Sequence, residues 1–442
     1  MIRLVIAFAV ALMLTACGGG GGSTATRSGS TGSSSSSGGG TTTPAVDNYA
    51  TVTFDAGPAA LANGSPAYTA FNEPYVSVTI CAPGSTSNCQ TIDHVILDTG
   101  SVGLRIINSV ISPTLLSALP AERDTSGNSV GECYKYVNSY AFGSVRQADF
   151  SIGGEKVADM PFQAIGDTGT FAAVPASCSS GGGDAITTAY SFGANGIIGV
   201  GTTATDCGYI CQQGYDSGAG YYDCPNSGCS TIIARAASSA APFQQLPNPV
   251  AAFATDNNGT VLDLPAVAAA GVTTLTGKVY FGIGTQSNNA LGSAKVLPLT
   301  TSSSSLGPGF LTATYKGTAL TQSFLDSGSN FYYFIDADLP ICTQSGLSVF
   351  YCPTAATPLS PTLTATNGAT ASGAFTLYNP STTTSASANV APGLAVNPTL
   401  VTPPLPFQNS FDFGVPFFFG HKVYTAIEGR TAGGIAGPYF AF

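Results

Sequence analysis

Two segments of this 442-residue chain run apolar residues straight into the same kind of polar signature. They are Val95-Ile-Leu-Asp-Thr-Gly-Ser101 and Ser323-Phe-Leu-Asp-Ser-Gly-Ser329; in each, an Asp is followed by a hydroxyl residue, a Gly and a Ser. An Asp at the end of an apolar strand is led towards the interior, where an unpaired charge is costly. Two such carboxylates brought together do not both ionise easily, so they share a proton. A pair holding one proton sets an acid beside a base, which is what activating a water against an amide requires. One copy alone reads as an Asp capping a turn, as Asp-x-Gly often does. The matched pair suggests one site built from two halves.

Strands must deliver these loops, and the composition supplies them. Apolar residues make up 44% of the chain and charged residues 8%. Tyr, Phe, Val and Thr are frequent, and no helical pattern of about 10–15 residues alternates with the strands, which favours an all-β protein. Tyr49 to Phe54 and Tyr75 to Cys81 alternate as strands do, and His94 to Asp98 reads as a buried strand. Ala148 to Ile152 leads into a Gly153-Gly154 turn. Ser112-Pro113 opens a short helix, with Ser as N-cap and Pro at the first helical position. The length allows two lobes, and we expect an N-terminal lobe over 47–270 and a C-terminal lobe over 271–442. Residues 203–243 read as a Cys-rich surface insertion, and residues from about 353 to 405 as a Thr/Ser/Pro-rich loop region.

The net charge is −10 with only 13 Lys and Arg, so there is no basic footprint for a nucleic-acid partner. Arg3 precedes an apolar run, Leu4 to Leu14, too short to anchor across a bilayer. Leu14-Thr-Ala-Cys17 follows and resembles the lipobox of bacterial lipoproteins, which implies a signal peptide over 1–17 and a lipid on Cys17. Residues 18–46 are a Gly/Ser/Thr-rich tether. Gly18 resembles a signal for sorting to the outer membrane, so the expected location is the cell envelope, facing the periplasm or the surface. Of 11 cysteines, Cys17 is set apart; the other ten suggest up to five disulfides. Cys81 with Cys89, and Cys342 with Cys352, are close enough to staple local loops. Cys207, Cys211, Cys224 and Cys229 could hold two bridges or a zinc ion; their loose spacing and an oxidising compartment favour bridges. Cys133 and Cys178 remain as a longer-range pair, and the connectivity stays open.

With both Asp loops in place, the chain resembles the pepsin-like aspartic proteases over roughly residues 75–442. More narrowly, it resembles a bacterial lipoprotein family of unknown function with a pepsin-like domain. Tyr136-Val-Asn-Ser-Tyr-Ala-Phe-Gly143 with Ser151-Ile-Gly-Gly154 is similar to that family's flap hairpin. Asn195-Gly-Ile-Ile-Gly-Val200 is similar to the segment packed beside the first Asp loop, and Gly277-Lys-Val-Tyr-Phe-Gly282 to the strand opening the second lobe. Phe413-Gly-Val-Pro-Phe-Phe-Phe419 and Val423-Tyr-Thr-Ala-Ile427 match the corresponding C-terminal pieces. The chain departs from the family at four points: Val-Asn-Ser at the flap tip, no Trp, no pro-segment, and Asp412-Phe413-Gly414, a charge in an apolar slot.

The resemblance implies a bilobal pepsin-like acid-protease fold, with two β-barrel-like lobes and a cleft between them. Asp98 and Asp326 would be the catalytic pair. Thr99 and Ser327 would bond across the lobe junction, and Gly100 and Gly328 would let backbone approach the carboxyls. Ser101 and Ser329 would donate to the outer carboxyl oxygens, and Tyr136 would close over the substrate. No cofactor and no metal are called for. The expected partners are a peptide or protein substrate and, through the lipid, a membrane; the chain is expected to be a monomer. The intact Asp pair favours an endopeptidase. The altered flap and absent pro-segment favour the alternative, a catalytically inactive pepsin-like lipoprotein serving binding or envelope structure. His94 and His421 have no Gly-x-Ser-x-Gly elbow near them and are read as structural. Half of the run Phe331-Tyr-Tyr-Phe334 is expected in the core and half along an apolar subsite.

Overall fold

The structure, a computed structural model, describes residues 47–124, 126–136, 138–180, 183–206, 219–229, 245–304, 308–402 and 404–442. Cys17, the tether, Cys207 and Cys211 lie outside the described residues. The fold is the expected all-β arrangement in two halves, and both halves follow one plan.

In the first half the strand Cys89–Asp98 carries the Asp loop. It pairs parallel with Gly196–Val200, with Asp98 opposite Gly199. On its other side Gly196–Val200 pairs antiparallel with Val102–Ile107, the strand that leaves the loop. The second half repeats this. Thr318–Asp326 pairs parallel with Asp412–Gly414, with Asp326 opposite Gly414. Asp412–Gly414 pairs antiparallel with Tyr332–Tyr333. Central strands of this kind are covered on both faces, so their sequences are continuous apolar runs rather than alternating ones. The last four residues of each Asp strand, Val95–Asp98 and Ser323–Asp326, are buried.

Each Asp strand also carries a β-bulge at the same place. Asp93 and His94 together face the single residue Ser77, between the pairs Val76–Val95 and Val78–Ile92. Thr321 and Gln322 together face Thr312, between Leu311–Ser323 and Ala313–Leu320. In both copies the bulged residues stand five and four positions ahead of the Asp. An inserted residue bends a strand and re-aims the side chains beyond it. Here it converts a half-exposed segment into the fully buried run that ends in the carboxyl.

A further sheet joins the halves. Tyr49–Phe54 pairs along its length with Leu275–Phe281, which pairs with Gly259–Asp263. Lys422–Ala426, Tyr439–Ala441 and Val296–Pro298 follow in that order. The connection between Asp263 and Leu275, near the expected lobe boundary, is thus internal to a shared sheet. One core cluster runs through both halves and includes Val52, Phe54, Leu97, Phe281, Leu325 and Phe413.

The helix Pro113–Ala118 forms as expected, and its N-cap Ser112 accepts from the Leu115 N–H at 3.4 Å. Two other expectations change. Residues 353–405 are not an open loop: Thr357–Leu359 pairs with Phe375–Leu377, and Thr362–Thr364 with Thr370–Ser372. Leu363, between Thr362 and Thr364, and Leu377, between Thr376 and Tyr378, are fully buried, the alternation of a half-buried strand. The described part of the Cys-rich stretch includes a strand, Ala219–Cys224, paired with Ser129–Lys135 and burying Tyr221 and Tyr222. Disulfides join Cys81 to Cys89, Cys133 to Cys178, Cys224 to Cys229 and Cys342 to Cys352. The Cys224–Cys229 bridge removes both thiols from any zinc site.

Candidate active site

The two Asp loops meet and interlock. The Thr99 N–H donates to Ser327 Oγ at 3.1 Å, and the Ser327 N–H donates to Thr99 Oγ1 at 2.9 Å. Ser327 Oγ donates in turn to the Leu97 carbonyl at 2.8 Å. Within each loop the bonding repeats. The Gly100 N–H donates to Asp98 Oδ1 at 2.7 Å and Ser101 Oγ to Asp98 Oδ2 at 2.5 Å. The Gly328 N–H donates to Asp326 Oδ1 at 2.7 Å and Ser329 Oγ to Asp326 Oδ2 at 2.9 Å.

The two carboxyls face one another beside Gly328, where an added Cβ would stand 2.4 Å from Asp98 Oδ1 and 3.1 Å from Asp326 Oδ1. Asp98 is 2% exposed and Asp326 is 1% exposed. A Cβ on Gly100 would stand 2.4–2.6 Å from the Asp326 carboxyl atoms. Each glycine is required by the opposite half's carboxyl. Burial, then the neighbouring carboxyls of Asp98 and Asp412, push Asp326 well above the usual carboxylate range. Asp326 thus holds a proton more readily than an ordinary carboxyl does. All eight residues of the two Asp-hydroxyl-Gly-Ser signatures come together where the halves meet.

A third carboxyl adjoins the pair. Asp412 Oδ2 lies 2.6 Å from Ser329 Oγ, and the residue is fully buried. Its register is informative: Phe324 opposes Asp412 as Ile96 opposes Ile197, so the first half has an isoleucine at the matching place. The sequence shows this Asp only as a charge in an apolar slot, and nothing in the residue string ties it to Ser329.

Sequence reasoning also missed a polar tie behind the second loop. The Asn330 amide donates to Glu73 Oε1 and to the Phe71 carbonyl, both at 2.7 Å. The Asn72 amide donates to the carbonyls of Asn330 and Ala391 at 2.9 and 3.0 Å. These bonds fasten the segment Phe71–Glu73 of the first half to the loop following Asp326. Asn72 has φ 54°, a left-handed conformation that Asn tolerates better than most residues.

Tyr136 follows the strand Ser129–Lys135, which pairs with Ser139–Ile152 as a hairpin. Its ring is 7% exposed and packs on Tyr134 and Phe192, with centroids at 4.9 and 5.9 Å. Tyr134 is the tyrosine that feels Asp98. Burial raises its hydroxyl, Arg105 opposes that, and Tyr136 and Asp98 add to it. The Arg105 guanidinium lies 3.7 Å above the Tyr134 ring and bonds to Glu132 at 2.5 Å and Asp206 at 2.9 Å. This fully buried ion network braces the hairpin against the strand leaving the first Asp loop.

The histidines lie apart from the site. His94, at the first bulge, contacts Asp55 and Asp93 at 3.3 Å each. His421 Nδ1 lies 2.7 Å from the Phe417 carbonyl. Phe331, Tyr332, Tyr333 and Phe334 are all buried, so the expected division between core and subsite becomes core throughout.

Fold and geometry thus define a two-lobed all-β protein with a paired-carboxyl centre where its halves interlock. The chain belongs to the family described as "Protein of unknown function (DUF3443)", whose match spans residues 44–442. No curated protein sequence matches it. Among solved structures, the aspartic proteinase from Irpex lacteus is similar at 13% identity with a TM-score of 0.43, over 89% of this chain and 96% of that one.

Proposed function

We propose that this protein is an aspartic-type endopeptidase of the cell envelope, with Asp98 and Asp326 as its acid–base pair. The observation that carries the reading is the reciprocal interlock. Two loops of the same signature, from opposite halves, bond through Thr99 and Ser327 and hold two buried carboxyls face to face. Such a pair has one proton to give and one to take. A water between them loses a proton to the Asp98 carboxylate as its oxygen attacks the scissile carbonyl carbon. Asp326 gives its proton to the carbonyl oxygen, so the tetrahedral intermediate forms as a neutral diol. Collapse breaks the C–N bond, the amine leaves with the proton held by Asp98, and the hydroxyl proton returns to Asp326. The cycle needs no metal and no cofactor.

Asp326→Asn keeps the shape but removes the acid. It should lower cleavage by about 10²–10⁴-fold, the usual contribution of a positioned acid or base. The test is an unbiased peptide-library digest of the mature protein across pH, with and without pepstatin. Pepstatin-sensitive cleavage lost in Asp326→Asn supports the peptidase. The near-complete burial of both carboxyls favours the second reading, a catalytically silent binding or envelope protein. A digest without pepstatin-sensitive cleavage at any pH would put that reading first.

A further inference from the structure

Ser329 has one hydroxyl proton and two carboxyl neighbours. Its Oγ lies 2.9 Å from Asp326 Oδ2 and 2.6 Å from Asp412 Oδ2. Both contacts are hydrogen bonds only if one carboxyl brings a proton of its own. Asp412 is the one placed to do so. It is fully buried, and its Oδ1 has no hydrogen-bond partner among the described residues. Phe411 and Phe413 flank it in sequence, with Phe324 opposite on one side and Tyr333 on the other. A carboxylate with a bare oxygen in such surroundings is far costlier than the neutral acid. The titratable groups around it are Asp326 and Asp98 on the two Asp strands and Tyr332 and Tyr333 on the neighbouring strand. Burial raises Asp412 well above the usual range; the Ser329 bond opposes this, and repulsion from Asp98 adds to it.

We propose that Asp412 is a neutral carboxylic acid in the folded protein and a positioning residue for Asp326. It donates to Ser329, which commits the Ser329 proton to Asp326. When Asp412 ionises in alkali it takes the Ser329 proton for itself, and Asp326 loses its donor. The first half has no such device, because Ile197 stands at the matching place.

The positioning role in catalysis rests on the peptidase reading above; the proton on Asp412 does not. Unfolding by urea is followed from about pH 4 to about pH 8 for the wild type, Asp412→Asn and Asp412→Leu. Asn imitates the neutral acid, and Leu restores the residue class of the first half. A carboxyl whose folded pKa exceeds its unfolded one keeps its proton on folding, so stability falls as pH rises between the two values. Over that range the wild-type unfolding constant should gain an extra factor of about ten per pH unit relative to either variant, the signature of one proton. Equal slopes in the wild type and a folded variant overturn the proposal. The wild type alone gives a second measurement: the ¹³C shift of the Asp412 carboxyl near neutral pH should be that of an acid, and a carboxylate shift overturns the proposal. Where cleavage is found, the alkaline limb of the rate should fall over two protons in the wild type and over one in Asp412→Asn. Identical limbs overturn the positioning role. A protein that cuts nothing but shows the one-proton slope refutes the peptidase and keeps the proton on Asp412.

Discussion

Gly100 and Gly328 leave the space in which the two carboxyls meet. A methyl group on Gly100 falls inside contact distance of every Asp326 carboxyl atom, and backbone of both loops is pinned by the crossed bonds, so neither side can retreat. Gly100→Ala is therefore expected to remove pepstatin-sensitive cleavage as fully as Asp326→Asn while leaving the far-ultraviolet circular dichroism unchanged. Activity within twofold of wild type would contradict the contact. His94 makes a different prediction, about stability. Its bond to Asp55 raises His94 above 6.5, with burial opposing and Asp93 adding a smaller push. The same bond lowers Asp55 below 3.8, against burial. The raised His contributes stability that is full below its unfolded pKa and lost as pH rises through its folded one. The lowered Asp contributes stability that is present above its unfolded pKa and lost as pH falls through its folded one. The pair thus helps most between about pH 4 and about pH 6.5. Partly exposed pairs are worth about 0–1 kcal/mol, and Asn at 94 suits the left-handed φ of 48°. Urea midpoints of His94→Asn and wild type should differ more at about pH 5 than at about pH 9; a gap that ignores pH would sink the idea.

Among the elements, the bulges show what a residue string conveys and what it hides. The two Asp signatures, the short helix at Pro113 and the apolar runs into each Asp were legible, because each is local and has a fixed period or a capping residue. The bulges were not, since an extra residue is visible only against a partner strand. The same holds for Asp412, whose meaning depends on a serine more than eighty positions away, the Ser329 contact spanning 83. The strands within 357–377 were hidden by Thr and Pro, which resemble a loop until Leu363 and Leu377 are seen to enter one core cluster. Arg105 was unmarked in sequence too, yet its guanidinium is the only cation between Glu132 and Asp206 among the described residues. Arg105→Met leaves two buried carboxylates facing each other. It should cost about 3–5 kcal/mol, read as a lower urea midpoint, with the loss reduced where pH is low enough to protonate Asp206, which burial and then Glu132 push well above the usual carboxylate range. A cost below about 1 kcal/mol would mean that water reaches the network.

For the whole molecule, the site is a property of the joined halves: each loop takes its cross-bonds from the other, and the sheet of Tyr49–Phe54 with Leu275–Phe281 holds them together. We propose that a lipid on Cys17 tethers this unit to the envelope. Cys17→Ser should move the protein from the membrane to the soluble fraction and abolish palmitate incorporation, whereas continued labelling would contradict the anchor. The joining sheet also sets an order of events during synthesis. Tyr49–Phe54 emerges early, but its partner comes late; the Asn48 amide bonds the Phe281 carbonyl across 233 positions. Until that partner arrives, Val52 and Phe54 belong to a strand with an open, sticky edge. A chain that stalls midway through synthesis is thus left displaying an unmated strand at its front end, an edge open to pairing with another chain.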